Sequence, residues 1–444
     1  MNGIPTVIDL FSGCGGLALG FEKAGFPIGG GIELMQEAVK TISANLEWRY
    51  GKDSRHLCCD ITETDPSVLR QFIGEDGCIV VGGPPCQAYS RAGKAKLNSL
   101  GDDRISTSDA RGYLYQDFLR FAFALDARAV VMENVPEATR FGEMNIPEIV
   151  CEELEKEGYT TFWTILCSAD FGVPQIRERL FVLAWKNGET EISLPIPTHR
   201  DPTGHIPQYA RQINSFLQFP HFRKPLSAGD DARDWVTVGE AFSDLPVLFP
   251  NEKSRYVNNP TNTEIPYRTG AGNDFQRTMR EWYGFPMYGV TGNTFRKNVR
   301  DFPIFARMKQ GDLFTDASRI ADELFFKKAH DLGLSPDSSE YARLKESMVP
   351  CYDREHFAEK WRRLEENRPS HTVVAHLSVD TYSHIHPWEP RGISIREAAR
   401  LQSFPDDFTF SCPMGDAFKQ IGNAVPPLLA KGVADAVYRS FKQK

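Results

Sequence analysis

From residue 6 to about 185 the chain alternates short apolar, β-branched runs with longer segments whose apolar residues recur at helical spacing. TVIDLF precedes GLALGFEKAGF, IGGGIEL precedes MQEAVKTISANL, CIVVGG precedes GYLYQDFLRFAFAL, and AVVMEN precedes IPEIVCEELEKEG; TTFWTILCS and RLFVLAW close the series. Strand and helix in such succession predict βαβ units and an α/β fold with a mostly parallel sheet. Ligands of such sheets sit outside the carboxyl ends of the strands, so the residues just past each strand become the candidates for chemistry.

From about 195 to 390 this rhythm is lost among prolines, NNPTN, GAGND and TGNT clusters and isolated aromatics, which predicts a separate, irregular domain. Helical pattern returns at SIREAARLQSF, where Ser394 and Glu397 have the S-x-x-E spacing of a capping box. GNAVPPLLAKGVADAVYRSF then predicts a last helix with Pro426 or Pro427 in its first turn.

Composition changes this picture little. The 444 residues are 41% hydrophobic and 25% charged, enough for two or three ordinary domains. A net charge of -8 argues against a surface built throughout for nucleic acid, so any such surface must be local. Nine cysteines without C-x-x-C or zinc-type spacing read as reduced thiols. With no basic leader and no apolar stretch near ~20 residues, the expectation is a cytoplasmic, unprocessed protein that spans no membrane.

Asp9-Leu-Phe-Ser-Gly13-Cys-Gly15-Gly16 ends the first predicted strand and opens a helix, and Gly13, Gly15 and Ala18 satisfy G-x-G-x-x-G/A. Glu33 ends the second strand at about the ~20-residue offset where a carboxylate can hold ribose hydroxyls. This predicts a site for an adenosine-bearing cofactor without choosing which, and a plain glycine turn remains the bland reading. Asp60 and Ile61 could hold an adenine, although taken by itself Asp60 is better read as a helix cap or a solvated turn.

In GGPPCQAYS two prolines fix the backbone just before Cys86, and polar Gln87, Ser90, Arg91 and Lys94 follow it. A lone cysteine is more often a small buried hydrophobe; this one is expected in a cleft. Glu133 ends AVVMEN, and Gln175, Arg177 and Arg179, in alternation, are expected on one face as the next strand begins. Methylation of cytosine at C5 needs such groups. A thiolate added to C6 makes C5 nucleophilic, a carboxyl with raised pKa serves N3, and a guanidinium stabilises charge at O2. Nearby arginines would favour the thiolate. No metal is required.

These motifs, in this order, resemble those of the DNA (cytosine-5-)methyltransferase family: DLFSGCGG, Glu33, Asp60, GGPPCQAYS, Glu133-Asn134-Val135, Gln175 to Arg179, REAARLQSFP and QIGNAVPP. The resemblance covers residues 6 to about 185 and 391 to the end. It implies Cys86 as nucleophile, Glu133 as the N3 partner, and Arg177 and Arg179 as contacts to the target base or phosphate. For S-adenosyl-L-methionine it implies Phe11 near the adenine, Gly13, Gly15 and Gly16 along the methionine end, Glu33 on the ribose, and Asp60 and Ile61 around the adenine. Leu114, Asn423 and Val425 complete that set. REAARLQSFP is implied to be architectural. Tyr89 stands where the family most often has Phe, which removes no required group.

The implied fold is a Rossmann-like S-adenosylmethionine-dependent methyltransferase sheet with an inserted, smaller target-recognition domain. Residues 1–195 and 388–444 would form the catalytic domain and 196–387 the DNA-binding domain. Stacked neighbours block a thiol from reaching C6 in a duplex, so the cytosine must be flipped out and a second surface must hold the DNA. Residues 253–310 carry ten basic against four acidic side chains with interleaved aromatics, the leading contact region. Arg268, Arg277, Arg280, Arg296 and Lys297 are its candidates, with Gln87 and Ser90 beside the nucleophile. The histidines, from His199 to His386, lack metal-ligand spacing and are read as structural. The expected partner is double-stranded DNA, bound by a monomer.

Three rivals stay in view. The glycine loop and Glu33 alone permit a nicotinamide-dependent oxidoreductase, which leaves Cys86, Glu133 and the arginines without joint purpose. An inactive DNA-binding regulator would not need Cys86 and Glu133. A tRNA cytosine-5 methyltransferase shares the catalytic motifs, and the long irregular segment favours duplex DNA over it.

Overall fold

The computed structural model describes residues 3–46, 55–85, 113–203, 208–248, 263–351, 360–379 and 382–442. They form two compact units, Met1–Trp235 with Asn423–Lys444, and Val236–Gly422.

The first unit is built on seven strands: β1 (Thr6–Leu10), β2 (Ile28–Glu33), β3 (His56–Cys58), β4 (Cys78–Gly82), β5 (Ala129–Asn134), β6 (Tyr159–Cys167) and β7 (Glu178–Lys186). Their order is β3-β2-β1-β4-β5-β7-β6. All neighbours are parallel except β7, which runs antiparallel to both β5 and β6. The near-continuous apolar runs seen in the sequence are explained by burial on both faces: every residue of β1 and β4 is buried.

Helices α1 (Gly16–Ala24), α2 (Gln36–Leu46), α3 (Leu114–Ala124) and α4 (Ile146–Lys156) flank the sheet. In α4 the buried Ile146, Val150, Cys151 and Leu154 trace one helical face. The C-terminal helix Pro427–Lys442 starts on its proline, as the sequence predicts, and packs on α1. Their approach is close enough to demand a glycine: a Cβ at Gly20 would lie 2.3 Å from that of Ala430.

The described residues of the second unit form helices of very different length, from Phe302–Phe305 to the 18-residue Phe314–Asp331, and one pair of two-residue antiparallel strands, Ile265–Pro266 with Gly289–Val290. One of its cores is aromatic, with Phe305, Phe314, Trp361 and Tyr382 in edge contacts at centroid distances of 5.0 to 5.5 Å. The unit also holds a buried ionic network. Arg400 pairs with Asp244 at 2.9 Å and with Asp406 at 2.6 Å, Arg396 donates to the carbonyls of Thr291, Pro405 and Phe408, and Tyr267 donates to Asp406. The Ser394–Glu397 capping box forms in both directions.

These contacts move both expected boundaries. Residues 196–235 join the sheet unit, because Phe216 and Phe222 pack on Trp163 and the indole of Trp235 donates to Asp170 at 2.9 Å. Residues 388–422 join the second unit, because Arg400 and Arg396 are satisfied there. REAARLQSFP, implied to be architectural, packs within the second unit.

Candidate active site

The chain leaves β1 for β2 and β3 on one side and returns to β4 on the other, so the sheet reverses direction between β1 and β4. Ligands bind outside the carboxyl ends of the strands at such a point. Four carboxyl ends carry sequence-predicted residues here: Phe11 to Gly16 after β1, Glu33 at the end of β2, Gly83 to Pro85 after β4, and Glu133 in β5. Because β7 is reversed, its beginning lies at this same edge. Asn134 pairs with Leu180 in the ladder, which places Arg179 beside Glu133 at the rim.

The loop after β1 is shaped by backbone geometry. Phe11, Gly13 and Gly15 have φ of 57°, 54° and 90°. Glycine takes this region freely, whereas Phe11 takes it at a cost of about 1–2 kcal/mol, the kind of strain that collects at binding sites. Glu33 holds the loop, one carboxylate oxygen accepting from Gly13 N and the other from Met35 N, both at 2.8 Å. Above Gly13 the space is open: an added Cβ would meet nothing within 4 Å. Asp9, not singled out in the sequence, is buried beneath the loop, and burial first, then the charge of Glu33, push its carboxyl well above the usual range.

Asp60 is exposed, and one of its oxygens accepts from the backbone and hydroxyl of Thr62, bonds that hold its carboxyl below the usual value. It therefore also forms the turn that the bland reading predicted. Ile61 and Val425 are buried, Leu114 is half-buried at the start of α3, and Asn423 is exposed.

At the other strand ends the geometry is acidic and basic together. Arg179 Nε lies 2.8 Å from Glu133 Oε1, each side chain 12% exposed. Burial raises the Glu133 carboxyl above its ordinary value, against the pull of Arg179 and Arg177. Glu133 Oε2 faces Gly83, where a Cβ would stand 2.8 Å away. Asn134, given no role in the sequence reading, ties the two loops: Nδ2 donates to Pro84 O at 3.3 Å and Oδ1 accepts from Val135 N at 2.9 Å. The chain thus brings a raised carboxyl to within a few residues of Cys86. Cys86, Gln87 and Ser90 themselves lie outside the described residues.

Two expectations are corrected by burial. Gln175 and Arg177 precede β7, which begins at Glu178, and both are buried, although Arg177 stays near enough to Glu133 to pull on its carboxyl. Arg177 is 2% exposed and donates through Nη2 to Ala424 O at 3.2 Å, so it braces the C-terminal segment rather than facing solvent. In the second unit Arg280 is 8% exposed, bonded to Asp244 and Thr269 O, and stacked 3.6 Å from the Tyr267 ring centroid. Its guanidinium serves the fold. Arg268 and Arg277 are exposed, Arg277 pairing with Asp274 on its own helix, while Arg296 and Lys297 are half-buried and Arg296 donates to Ser378 O.

His386, Glu389 and Glu397 bring ligand atoms within 4.8 Å of one another. Arg391 donates to both carboxylates at 2.7 to 3.2 Å and supplies the positive charge there.

Comparison with known proteins agrees with this geometry. The model of the family described as C-5 cytosine-specific DNA methylase matches residues 5–439. M.OihORF3336P of Oceanobacillus iheyensis, provisionally named a type II methyltransferase, is 50% identical over 99% of this chain and 96% of its own. The type II methyltransferase M.AgeI of Thalassovita gelatinovora is 30% identical over 97% of this chain and 98% of its own. A solved structure described provisionally as a prophage-encoded DNA modification methyltransferase (E. coli) superposes with a TM-score of 0.65 at 23% identity, over 99% of this chain and 100% of that one, a likeness of fold.

Proposed function

The chain belongs to the C-5 cytosine-specific DNA methylase family, and from that premise we propose how its residues divide the reaction. The enzyme methylates cytosine in DNA at C5. Its methyl donor is S-adenosylmethionine, which supplies an electrophilic methyl group. The loop residues Phe11, Gly13, Gly15 and Gly16, with Glu33, Asp60, Ile61, Leu114, Asn423 and Val425, hold it. The open space above Gly13 and the paired acceptors of Glu33 fit such a group.

Cys86, as thiolate, bonds to C6 of the flipped-out cytosine. Glu133 hydrogen-bonds or protonates N3 as electron density enters the ring, a task suited to a carboxyl that burial has raised. Arg179 fixes Glu133 and donates toward O2. After methyl transfer, loss of the C5 proton expels the Cys86 thiolate by β-elimination. The observation that carries this reading is the Glu133–Arg179 pair at the carboxyl edge, with Glu133 beside Gly83, three residues before Cys86.

The relatives named type II methyltransferases support a restriction-modification setting, with a specific duplex sequence as substrate and the second unit as the recognition domain. Among the described residues no helix is long and apolar enough to cross a membrane, and we place the enzyme, as a monomer, with the cell's DNA in the cytoplasm. Bisulfite sequencing of DNA from expressing cells identifies the site. A duplex carrying 5-fluorocytosine at that site, with the methyl donor, is then expected to form a covalent adduct with wild-type protein and none with Cys86→Ala, which should still bind S-adenosylhomocysteine. An adduct of normal yield with Cys86→Ala would remove Cys86 from the mechanism.

A further inference from the structure

Among the described residues of the second unit, the two most exposed large hydrophobic side chains are neighbours. Phe285 is 80% and Tyr288 81% exposed. Isolated exposed apolar residues are ordinary, but these two project from one loop whose base is fixed. The strands Ile265–Pro266 and Gly289–Val290 close it, and Tyr267 N donates to Tyr288 O at 3.3 Å. Met287 N donates to Arg280 O at 3.1 Å, Trp282 is buried at 2%, and the Arg280–Asp244 pair anchors the preceding helix. Gly284, with φ of 84°, makes the turn that turns the chain outward before Phe285. The buried arginine that was expected to touch DNA thus supports the loop that carries the rings.

The surroundings favour a polyanion. Residues 263–310 hold eight basic against four acidic side chains, on a chain of net charge -8; Arg280 is taken up inside the fold, while Arg268 and Arg277 are exposed, Arg277 beside Asp274. Phosphates draw to such a segment, while the flat faces of Phe285 and Tyr288 match the faces of bases rather than their edges. A base face becomes available when a duplex is unstacked, which extrusion of a cytosine requires.

We propose that Phe285 and Tyr288 form an aromatic platform that stacks on DNA bases unstacked at the target site. This rests on the DNA methyltransferase reading above. Stacking is tolerant of sequence, so the pair contributes affinity and unstacking, while recognition of sequence lies with other side chains.

The test uses the full chain and a labelled duplex containing the mapped site, with 2-aminopurine next to the target cytosine. Phe285→Ala with Tyr288→Ala is expected to weaken duplex binding about tenfold or more and to reduce the 2-aminopurine fluorescence rise. The salt dependence of binding should keep its slope, since no phosphate contact is lost. Phe285→Leu with Tyr288→Leu, which keeps apolar bulk without a ring face, should fall between. Unchanged S-adenosylhomocysteine binding establishes that the first unit is folded, and an unchanged melting profile does so for the second. Duplex affinity and methylation equal to wild type in the alanine variant would overturn the platform, as would a change confined to self-association. Wild-type protein that methylates no DNA would instead bring down the reading on which the platform rests.

Discussion

Arg179 and Arg400 each face a carboxylate, and the two regions around them differ in what is left over. Arg400 is fully buried and shared between Asp244 and Asp406, with Ala241 O taking a further bond. That network draws in Arg280, Tyr267 and Arg396 and satisfies itself. Arg179 meets Glu133 at an edge where both remain partly exposed, and burial raises the carboxyl in spite of the arginine. An arginine–carboxylate pair is a structural tie in one unit, and in the other it leaves a raised carboxyl at the rim. What separates them is how completely the surroundings consume the hydrogen-bonding capacity of each group.

Substitutions can sharpen that contrast. Arg400→Met should have the largest effect on stability, because it leaves Asp244 and Asp406 without their shared cation; removing one partner of a buried pair costs about 3–5 kcal/mol. Calorimetry should show a lowered transition, and a variant as stable as wild type would mean that the network is replaceable by apolar packing. Glu133→Gln should do the opposite, lowering kcat roughly a hundredfold or more while the melting temperature stays near wild type and DNA is still bound. Normal turnover would take Glu133 out of the chemistry and make its pair with Arg179 another structural tie.

The smallest effect is expected at His221. It bonds Glu148 at 2.6 Å and Glu155 at 3.1 Å, and although burial lowers its pKa, the two carboxylates win and raise it. A histidine raised in the folded state contributes stability that is complete below its unfolded pKa of about 6.5 and is lost as pH rises through the folded value. The melting temperature of wild type should therefore fall across that window more steeply than that of His221→Asn. Parallel pH profiles would show that the imidazole titrates alike in the folded and unfolded chain.

The sheet, the glycine loop and the strand-end positions of Glu33 and Glu133 were legible because each depends on local periodicity or local backbone need. Gly13 and Gly15 announce a turn wherever they occur, and a continuous apolar run announces a buried strand. Arg177 and Arg280 were misread because an arginine's fate depends on its partner. Those partners, Ala424 and Asp244, lie 247 and 36 residues away. The unit boundaries moved for the same reason: Trp163 collects Phe216 and Phe222, and Arg400 reaches back to Asp244, through contacts that no short window contains. Asn134 and Asp9 sat inside recognised motifs, and only their bonds and burial gave them separate roles.

The close fit of Gly20 against Ala430 has a consequence for synthesis of the chain. The glycine-loop helix is translated well before the helix that covers it, so α1 must wait with its apolar face uncovered while the intervening residues are made. A nascent product lacking residues 427–442 should therefore leave that face to chaperones until the covering helix arrives.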